Sequence, residues 1–387
     1  MAMRLGIDTG GTFTDFVLLE ADHNGLAHVR TRKVLSTPDA PERAILQGLQ
    51  ELGLGAALAN GALQLVHGST VATNAALEGK GVRTAFITNT GFADLLTIAR
   101  QTRPHLYRLQ QAPRPVPVPA QLCLEVPGRI SASGEALAPV EKAALQRVAA
   151  VLQTLQPEAV AICQLFSFLD SAHEEAIADY LRQVLPASTF ICCSSTVLPE
   201  YREYERGIAT WLNASLGPLM QGYLDRLHKQ TRPCPLAIMQ SSGGTISADQ
   251  AAGQAVRLLL SGPAGGLAAV RWLAEATAHH KLLTFDMGGT STDVALFNGE
   301  IGLTNEGHIG GWPVAVPMVD MHTIGAGGGS LAWVDAGGLL QVGPRSAGAY
   351  PGPACYGQGG TEVTVTDANL HLGRLGPKVQ IGTNLTL

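Results

Sequence analysis

The chain has 387 residues, of which 46% are hydrophobic, and a formal net charge of −5. A single hydrophobic core stops growing at about 250–300 residues, so this length favours two domains. Charges of both signs are scattered and form no basic stripe, so we expect neither nucleic acid nor a membrane surface as a partner. Six cysteines without a CxxC pair favour reduced thiols in a cytoplasmic protein.

The first predicted elements are two short strands around a glycine loop. The opening MAMRLGID enters a strand at once, which leaves no room for a signal peptide. Residues 4–7 and 16–20 then flank the loop IDTGGTFTD (Ile7–Asp15). The next predicted elements are a strand in LAHVRTRKVLS, a helix over residues 41–54, a strand–turn–helix unit in LQLVHGSTVATNAALEGKG and a strand in VRTAFIT.

The middle of the chain alternates predicted helices and strands after a proline-rich connection. Residues 103–127 contain APRPVPVPAQ and are expected to run extended over the surface. A helix over residues 139–155, a buried strand in EAVAICQLF, a helix in HEEAIADYLRQVL and a strand in TFICCSS follow. This alternation predicts a doubly wound α/β unit, and we place the first domain at residues 1–193.

A second domain is predicted over residues 194–387. It opens with a long helix or helix pair in EYERGIATWLNASLGPLMQGYLDRL, which contains too many polar residues for a membrane span. SGPAGGLAAVRWLAEAT is typical of a glycine turn that opens into a helix. The domain then repeats the opening hairpin, because FDMGGTSTD (Phe285–Asp293) matches IDTGGTFTD at six of nine positions.

The doubled loop has the chemistry of a phosphate site. A Gly-Gly-Thr turn exposes backbone N–H groups that bind phosphate oxygens, and threonine hydroxyls add donors. The aspartate before each turn, Asp8 or Asp286, can hold Mg²⁺ and serve phosphoryl transfer as a catalytic carboxylate. One copy alone is also typical of a plain hairpin reversal, but two matched copies favour a pair of loops that clamp a nucleoside triphosphate. Asp15 and Asp293 are predicted to cap their own turns.

A run of glycines in GAGGGS (Gly325–Ser330) indicates very close approach of the backbone to a ligand or to another strand. We favour the ligand. Gly325, Gly327 and Gly328 are therefore included among the predicted nucleotide-binding residues.

Asp320 and His322 lie two residues apart in a predicted strand, so their side chains project from the same face. A carboxylate and an imidazole at this spacing could ligate an additional divalent metal, with His67 of VHGST as a third ligand. The alternative is that each side chain only forms hydrogen bonds with neighbouring loops.

Arginines in RQTRPHLYR have two interpretations. Arg100, Arg103 and Arg108 could anchor a substrate carboxylate through bidentate hydrogen bonds, or they could form a solvated face beside the proline-rich connection. The charged residues of Glu200–Gly207 are predicted to form salt bridges between the domains.

Several long motifs resemble the hydantoinase A/5-oxoprolinase family. They are IDTGGTFTDFVLL, VHGSTVATNAALEGKG, GFADLLTIARQTRPHLY, SSGGTIS, SGPAGG, FDMGGTSTDVAL, TIGAGGGS and SAGAYPGPACYGQGGTEVTVTDANLHLGRL. The resemblance implies an α/β fold with two ribonuclease H-like domains of the actin-like ATPase superfamily and ATP in the cleft between them. It further implies that the first phosphate motif is Asp8, Thr9, Gly10, Gly11 and Thr12, and that the second is Asp286, Gly288, Gly289 and Thr290. Thr292, which corresponds to Thr14 in the first copy, is included among the predicted nucleotide-binding residues.

This resemblance also implies an activity. The family opens cyclic amides or imides such as 5-oxoproline or a hydantoin, with ATP and Mg²⁺ as cofactors, and works with a B-type hydantoinase subunit in an oligomer. Related ketone carboxylases, and non-catalytic nucleotide-binding proteins of the superfamily, are the alternatives. The family's A subunit normally continues with a GGAGP-like segment, which does not follow GRLGPKVQIGTNLTL, so an incomplete second domain is expected.

Overall fold

The computed structural model describes residues 3–11, 13–21, 27–103, 106–111, 115–289, 291–348, 350–376, 380–381 and 385–386. Its strands are β1 (Met3–Thr9), β2 (Phe13–Ala21), β3 (Ala27–Leu35), β4 (Leu63–Ser69), β5 (Thr84–Asn89), β6 (Cys123–Val126), β7 (Arg129–Ile130), β8 (Ala136–Ala138), β9 (Ala159–Ile162), β10 (Phe190–Cys193), β11 (Leu236–Met239), β12 (Thr245–Ser247), β13 (Lys281–Met287), β14 (Thr292–Asn298), β15 (Leu303–Thr304), β16 (Gly307–Ile309), β17 (Trp312–Val314), β18 (Met318–Val319), β19 (His322–Ile324), β20 (Ser330–Val334), β21 (Leu340–Ser346), β22 (Gln380–Ile381) and β23 (Leu385–Thr386).

The α-helices are α1 (Pro41–Glu51), α2 (Gly55–Ala59), α3 (Val71–Leu77), α4 (Leu95–Ile98), α5 (Lys142–Leu155), α6 (Ala172–Val184), α7 (Ser194–Val197), α8 (Glu203–Thr231), α9 (Ala248–Ala251), α10 (Ser261–Thr277) and α11 (Val365–His371). Short 3₁₀ turns occur at Ala120–Leu122, Ala255–Leu258 and Ala354–Tyr356. Within the described residues, no helix combines the length and the apolar character needed to cross a membrane.

The first glycine loop lies in a six-stranded sheet of order β12-β11-β4-β1-β2-β3. Strands β1, β4 and β11 run parallel, whereas β1–β2, β2–β3 and β11–β12 are antiparallel pairs. The carboxyl ends of the three parallel strands therefore meet at one edge, which is where α/β sheets bind ligands.

A second sheet of order β10-β9-β5-β6 is parallel throughout, as the predicted alternation of helices and strands requires. Its edge strand β6 includes the buried residues Cys123 and Val126. The prediction of an extended surface connection over residues 103–127 was therefore wrong for Cys123–Val126. The backbone of β6 pairs with β5, and its apolar side chains enter the core, although prolines dominate the preceding sequence.

One long helix, α8, packs against both sheets. It continues through Pro218, so the predicted helix or helix pair is a single helix. Two glycines allow it to lie close to its neighbours: a Cβ at Gly217 would lie 2.5 Å from the ring of Phe190 in β10, and one at Gly207 would lie 2.9 Å from Leu96 in α4.

The six-stranded sheet extends across the predicted domain division at residue 193. Strands β11 and β12 follow that residue, yet they complete the sheet that β1 begins. The main hydrophobic core likewise includes residues from both sides of the division, for example Leu5 and Leu224. The boundary stays a prediction.

The second glycine loop lies in a three-stranded antiparallel sheet of order β13-β14-β19. Helix α10 connects it to the first sheet, because α10 contacts β4 and β11 as well as β13 and β14. A small separate core forms there from Ala264, Leu267, Ala295 and Val319.

Candidate functional site

The two glycine loops belong to hairpins with the same register. Asp8 is paired with Asp15 across β1 and β2, and Asp286 is paired with Asp293 across β13 and β14. Directly opposite residues of an antiparallel pair project to the same face. Each hairpin therefore places two carboxylates side by side at its loop end.

The same hydrogen bond closes both loops. The amide of Gly10 donates to the carbonyl of Phe13 at 2.9 Å, and the amide of Gly288 donates to that of Ser291 at 2.9 Å. The two loops are therefore similar in backbone hydrogen bonding as well as in sequence.

Of the remaining predicted loop residues, Thr12 and Thr290 lie outside the described residues. Thr9 is buried, and Gly11 is exposed at the loop. Thr292 donates its hydroxyl to the carbonyl of Ala326 at 2.6 Å, so this hydroxyl is occupied within the protein.

The outer carboxylate of each hairpin has a partner on a neighbouring strand. Lys33 Nζ lies 2.6 Å from Asp15 Oδ2, and the hydroxyl of Thr323 donates to Asp293 Oδ1 at 2.6 Å. These bonds cross between strands, whereas the sequence predicted turn caps within each loop.

Asp8 is the electrostatic centre of the site. Partial burial raises the pKa of Asp8 from 3.8 to about 6. The negative charges of Asp15 and Asp286 also raise this pKa, by smaller amounts, whereas the positive charge of Lys33 lowers it. Much of the side chain is still exposed, so water screens part of this effect. The contribution of Asp286 means that the two hairpins lie near enough for their charges to interact.

Asp293 shows the same tendency in the second hairpin. Burial raises its pKa, the hydrogen bond from Thr323 lowers it, and the charge of Asp286 raises it further. Clustered carboxylates that disfavour each other's ionisation are a donor set that suits a divalent cation.

Two glycines pack directly against Asp8. A Cβ at Gly262 would lie 3.2 Å from Asp8 Oδ1, and a Cβ at Gly68 would lie 3.6 Å from it. Gly262 is the second residue of α10, so the N-terminus of this 17-residue helix begins beside the carboxylate. Unpaired N–H groups at a helix N-terminus favour anions such as phosphate.

The start of α10 is fixed to the end of β4 by reciprocal hydrogen bonds. The hydroxyl of Ser261 donates to the carbonyl of Ser69 at 2.9 Å, and the amide of Ser69 donates to Ser261 Oγ at 3.2 Å. The amide of Leu260 donates to Thr73 Oγ1 at 2.8 Å. These bonds fix the position of Gly262.

The sequence analysis missed the β4–α3 turn as part of the site. The amide of Thr70 donates to the carbonyl of Thr9 at 2.9 Å, and Asn74 Nδ2 donates to Thr70 Oγ1 at 3.3 Å. A Cβ at Gly11 would lie 3.4 Å from Asn74 Nδ2. The available signal was that VHGSTVATN follows a strand parallel to β1, whose carboxyl end shares the same edge.

His67 lies beneath the first loop and is completely buried. Its Nε2 lies 2.6 Å from the hydroxyl of Tyr223, and burial lowers its pKa to about 4, so the ring is neutral at pH 7. The hydrogen-bond partner of His67 is therefore a residue of α8. The structure does not place His67 together with Asp320 and His322, so the predicted third metal ligand is not found there.

Asp320 and His322 are both exposed. In the part of the chain that the structure describes, no group of three or more His, Cys, Asp or Glu side chains is arranged to hold a metal ion. The additional metal stays a prediction without a third ligand.

The glycine run approaches the second loop. The amide of Gly328 donates to the carbonyl of Gly288 at 2.8 Å, and a Cβ at Gly327 would lie 2.6 Å from the same oxygen. The close approach at Gly327 is thus to another backbone segment, the alternative that the sequence interpretation did not favour. A Cβ at Gly325 meets nothing within 4 Å, and nucleotide binding by Gly325, Gly327 and Gly328 stays a prediction.

Arg100 forms an ion pair with α8. Its Nε donates to Glu205 Oε1 at 2.8 Å, which ties the segment after α4 to the helix. This contact fits the predicted salt bridges of the Glu200–Gly207 segment. Arg103 and Arg108 are exposed, and their role as carboxylate anchors stays a prediction.

Comparison with known proteins identifies relatives whose matched regions include both glycine loops. The model of the Hydantoinase/oxoprolinase family matches residues 206–384, and that of the Hydantoinase/oxoprolinase N-terminal region matches residues 4–185. Caprolactamase subunit alpha of Pseudomonas jessenii is 38% identical over 99% of this chain and 56% of its own length. The 5-oxoprolinase of Saccharomyces cerevisiae is 32% identical over 97% of this chain and 32% of its own length.

Two solved structures are similar to the fold. The ATP-dependent caprolactamase from Pseudomonas jessenii has a TM-score of 0.81 at 36% identity, covering 99% of this chain and 57% of that one. A nucleotide-free acetone carboxylase has a TM-score of 0.80 at 27% identity, covering 99% and 56%. The predicted α/β class is confirmed, and the neighbours are consistent with an actin-like ATPase type of fold. The chain spans little more than half the length of both.

Proposed function

Because the chain belongs to the hydantoinase/oxoprolinase family, we propose that it is the ATP-using subunit of a hydrolase that phosphorylates a cyclic amide or imide, of the 5-oxoproline or hydantoin type, to open the ring. The observation that carries the proposal is the pair of matched hairpins, in which the charge of Asp286 raises the pKa of Asp8. Two relatives act, by name, on cyclic amides: caprolactamase and 5-oxoprolinase.

An amide carbonyl carbon is a poor electrophile, and the proposed phosphorylation of the amide oxygen activates this carbon towards water. The amide oxygen attacks the γ-phosphorus of ATP, an O–P bond forms, and the bond to the departing ADP breaks. Water then adds to the activated carbon, and the ring C–N bond breaks as a proton passes to nitrogen. Hydrolysis of the remaining acyl phosphate releases phosphate, a step that we assign to a B-type partner subunit.

The residues of the site supply positioning and charge. In this proposal, backbone N–H groups of the two glycine loops and of the α10 N-terminus would bind the phosphates, and the Asn74 amide would add a donor beside Gly11. Phosphoryl transfer depends mainly on such positioning and on charge neutralisation. Asp8 and Asp286 would hold Mg²⁺, which neutralises phosphate oxygens when bound.

A ketone carboxylase subunit is the second candidate. The acetone carboxylase structure named above covers nearly the whole chain at a TM-score of 0.80. The same phosphate site would then activate a ketone enolate, and the product would depend on bicarbonate.

Titration calorimetry with Mg²⁺–ATP, followed by assays of ADP release, tests the proposal. With a co-expressed B-type subunit, we expect ADP release to rise with 5-oxoproline, caprolactam or hydantoin, and not with acetone plus bicarbonate. Asp8→Asn and Asp286→Asn should abolish turnover while the protein stays folded, whereas Asp179→Asn, at a surface ion pair of α6, should have no effect. Absence of binding at millimolar ATP would exclude both candidates.

A further inference from the structure

We propose that Thr366 is a positioning residue for the second glycine loop and that Asp367 holds Thr366 in place. The inference rests on the proposed function, because it takes this loop to bind a phosphate of ATP. It assigns a role to two residues that lie far from the loop in sequence and outside both matched hairpins.

Gly328 joins the second loop to α11. Its amide donates to the carbonyl of Gly288 at 2.8 Å, and its own carbonyl accepts both the amide and the hydroxyl of Thr366, each at 2.8 Å. The next amide, that of Gly329, donates to the carbonyl of Gly289 at 2.7 Å. Both carbonyls of the Gly-Gly pair are therefore held by one short segment, and Thr366 holds that segment from its other side.

Holding a carbonyl also sets the direction of the amide in the same peptide unit. In a planar trans peptide the C=O of Gly288 and the N–H of Gly289 point in opposite directions. Because the carbonyl of Gly288 is directed at Gly328, the N–H of Gly289 points away from the glycine run. Gly289 is exposed, and within the described residues its amide donates to no other group. This N–H is thus presented as a donor for an anion.

The first copy of the loop holds the same carbonyl with a different donor. Gly10 corresponds to Gly288 in the repeat, and its carbonyl accepts the hydroxyl of Ser36 at 2.7 Å. Ser36 follows β3, whereas Gly328 lies before β20, so the two donors come from unrelated segments. Two independent ways of holding one peptide plane indicate that its orientation matters to the loop, since the bonds that close each hairpin do not require it.

The contact between the glycine run and its neighbours is close on both sides. A Cβ at Gly329 would lie 2.9 Å from the carbonyl oxygen of Gly289, and a Cβ at Gly328 would lie 2.8 Å from Thr366 Oγ1. A displacement of Thr366 is therefore transmitted to the loop, because no open space lies between them to absorb it.

Asp367 fixes the position of Thr366 at the start of α11. It forms a capping box with Thr364, since its Oδ2 accepts the amide of Thr364 at 2.8 Å and the hydroxyl at 2.7 Å. Its Oδ1 accepts the amide of Cys355 at 2.8 Å. Burial alone would raise the pKa of Asp367, but the hydrogen bonds from Thr364 and Cys355 outweigh it and keep the pKa below its ordinary value of 3.8. The charged carboxylate therefore joins two chain segments to the helix that carries Thr366.

Hydrogen exchange of the nucleotide-free chain tests the structural link. Thr366→Val removes the hydroxyl and keeps the shape of the side chain. We expect the amides of Gly328 and Gly329 to exchange at least about fivefold faster than in the wild type, because a lost hydrogen bond weakens the link by that order. Thr366→Ser keeps the hydroxyl and should preserve slow exchange. Unchanged exchange in Thr366→Val overturns the proposal.

Titration with Mg²⁺–ATP tests the positioning role. Thr366→Val and Asp367→Asn should each raise the Kd at least about fivefold, at a temperature where circular dichroism shows both variants to be folded. A merely structural residue would lower the unfolding temperature and leave the Kd of the folded protein unchanged. The controls are Thr366→Ser and, at an exposed position before α11, Thr361→Val, which should stay within about twofold of the wild type.

Failure of this inference is distinguishable from failure of the proposed function. If the wild type binds Mg²⁺–ATP and Thr366→Val binds it equally well, the positioning role is overturned while the proposed function stands. If the wild type itself binds no Mg²⁺–ATP at millimolar concentration, the proposed function is overturned and the positioning role with it.

Discussion

Gly262 lies directly against the carboxylate of Asp8, since a Cβ at position 262 would be 3.2 Å from Asp8 Oδ1. Gly262→Ala should therefore displace the carboxylate by a few tenths of an ångström or push back the start of α10. We expect ATP turnover to fall by roughly tenfold to a hundredfold, because small misplacements of catalytic groups are costly. Steady-state ADP release is the measurement.

The control for this substitution lies one turn further along the same helix. A Cβ at Gly266 would meet nothing within 4 Å. Gly266→Ala should preserve turnover and stabilise α10 by up to about 1 kcal/mol, because alanine favours the helix. Equal loss of activity in both variants would contradict the proposed contact.

Asp8→Asn should stabilise the protein at neutral pH. The pKa of Asp8 is raised from 3.8 to about 6, so between these values the folded state binds more protons than the unfolded state. The free energy of unfolding of the wild type therefore falls as pH rises through this range. Because water screens the exposed carboxylate, we expect an advantage of about 1 kcal/mol for the variant at pH 7, vanishing below pH 4.

Urea unfolding at pH 4 and pH 7 with a metal chelator measures this difference. Asp335→Asn provides the opposite sign, because hydrogen bonds from Leu339, Gln341 and Gly337 lower the pKa of Asp335. Its carboxylate stabilises the fold at pH 7 and loses that effect on acidification. A constant difference between wild type and Asp8→Asn at the two pH values would refute the shift.

Gly327→Ala should destabilise the second loop. The added Cβ would lie 2.6 Å from the carbonyl oxygen of Gly288 and 2.7 Å from the amide nitrogen of Ser291, and both are backbone atoms with little freedom to move. We expect a loss of about 1–3 kcal/mol in the free energy of unfolding, typical of overpacking. Gly325→Ala, with open space around it, should change stability little, and thermal unfolding of both variants decides the point.

The doubled hairpin was predictable because its determinants are local. Strand, Asp, Gly-Gly turn and strand follow one another in each copy, and the pairing of Asp8 with Asp15 and of Asp286 with Asp293 confirmed the two predicted hairpins. Alternating apolar segments likewise predicted the α/β class. In both cases the periodicity of a short segment carries the information.

Other features depend on contacts between distant segments. Strand β11 is only four residues long, and its place beside β4 is determined by packing that no local pattern reveals. Asn74 is an ordinary helical residue until β4 places it beside Gly11. The glycines at 327 and 329 indicated a close approach, but their sequence could not distinguish a ligand from the second loop.

Arg100→Ala tests whether this arginine binds a substrate or only Glu205. The pair is partly exposed, and exposed ion pairs contribute about 0–1 kcal/mol, so a small loss of stability is expected. KM for the ring substrate should stay within about twofold of the wild type, since a lost bidentate anchor would cost far more. Glu205→Ala is the companion variant. A large rise in KM for Arg100→Ala alone would restore the anchor hypothesis.

Tyr223→Phe should lower the free energy of unfolding by removing a buried hydrogen bond near the first loop. The substitution removes the hydroxyl that lies 2.6 Å from His67 Nε2 and leaves a buried imidazole without this partner. An unsatisfied buried polar group costs about 1–3 kcal/mol, which urea unfolding should detect. Tyr180→Phe, on the half-buried side of α6, is the control and should cost much less. Because the side chains of Thr9 and Ser69 also interact with Tyr223, Tyr223→Phe should also weaken ATP binding. Unchanged stability would show that His67 finds another partner.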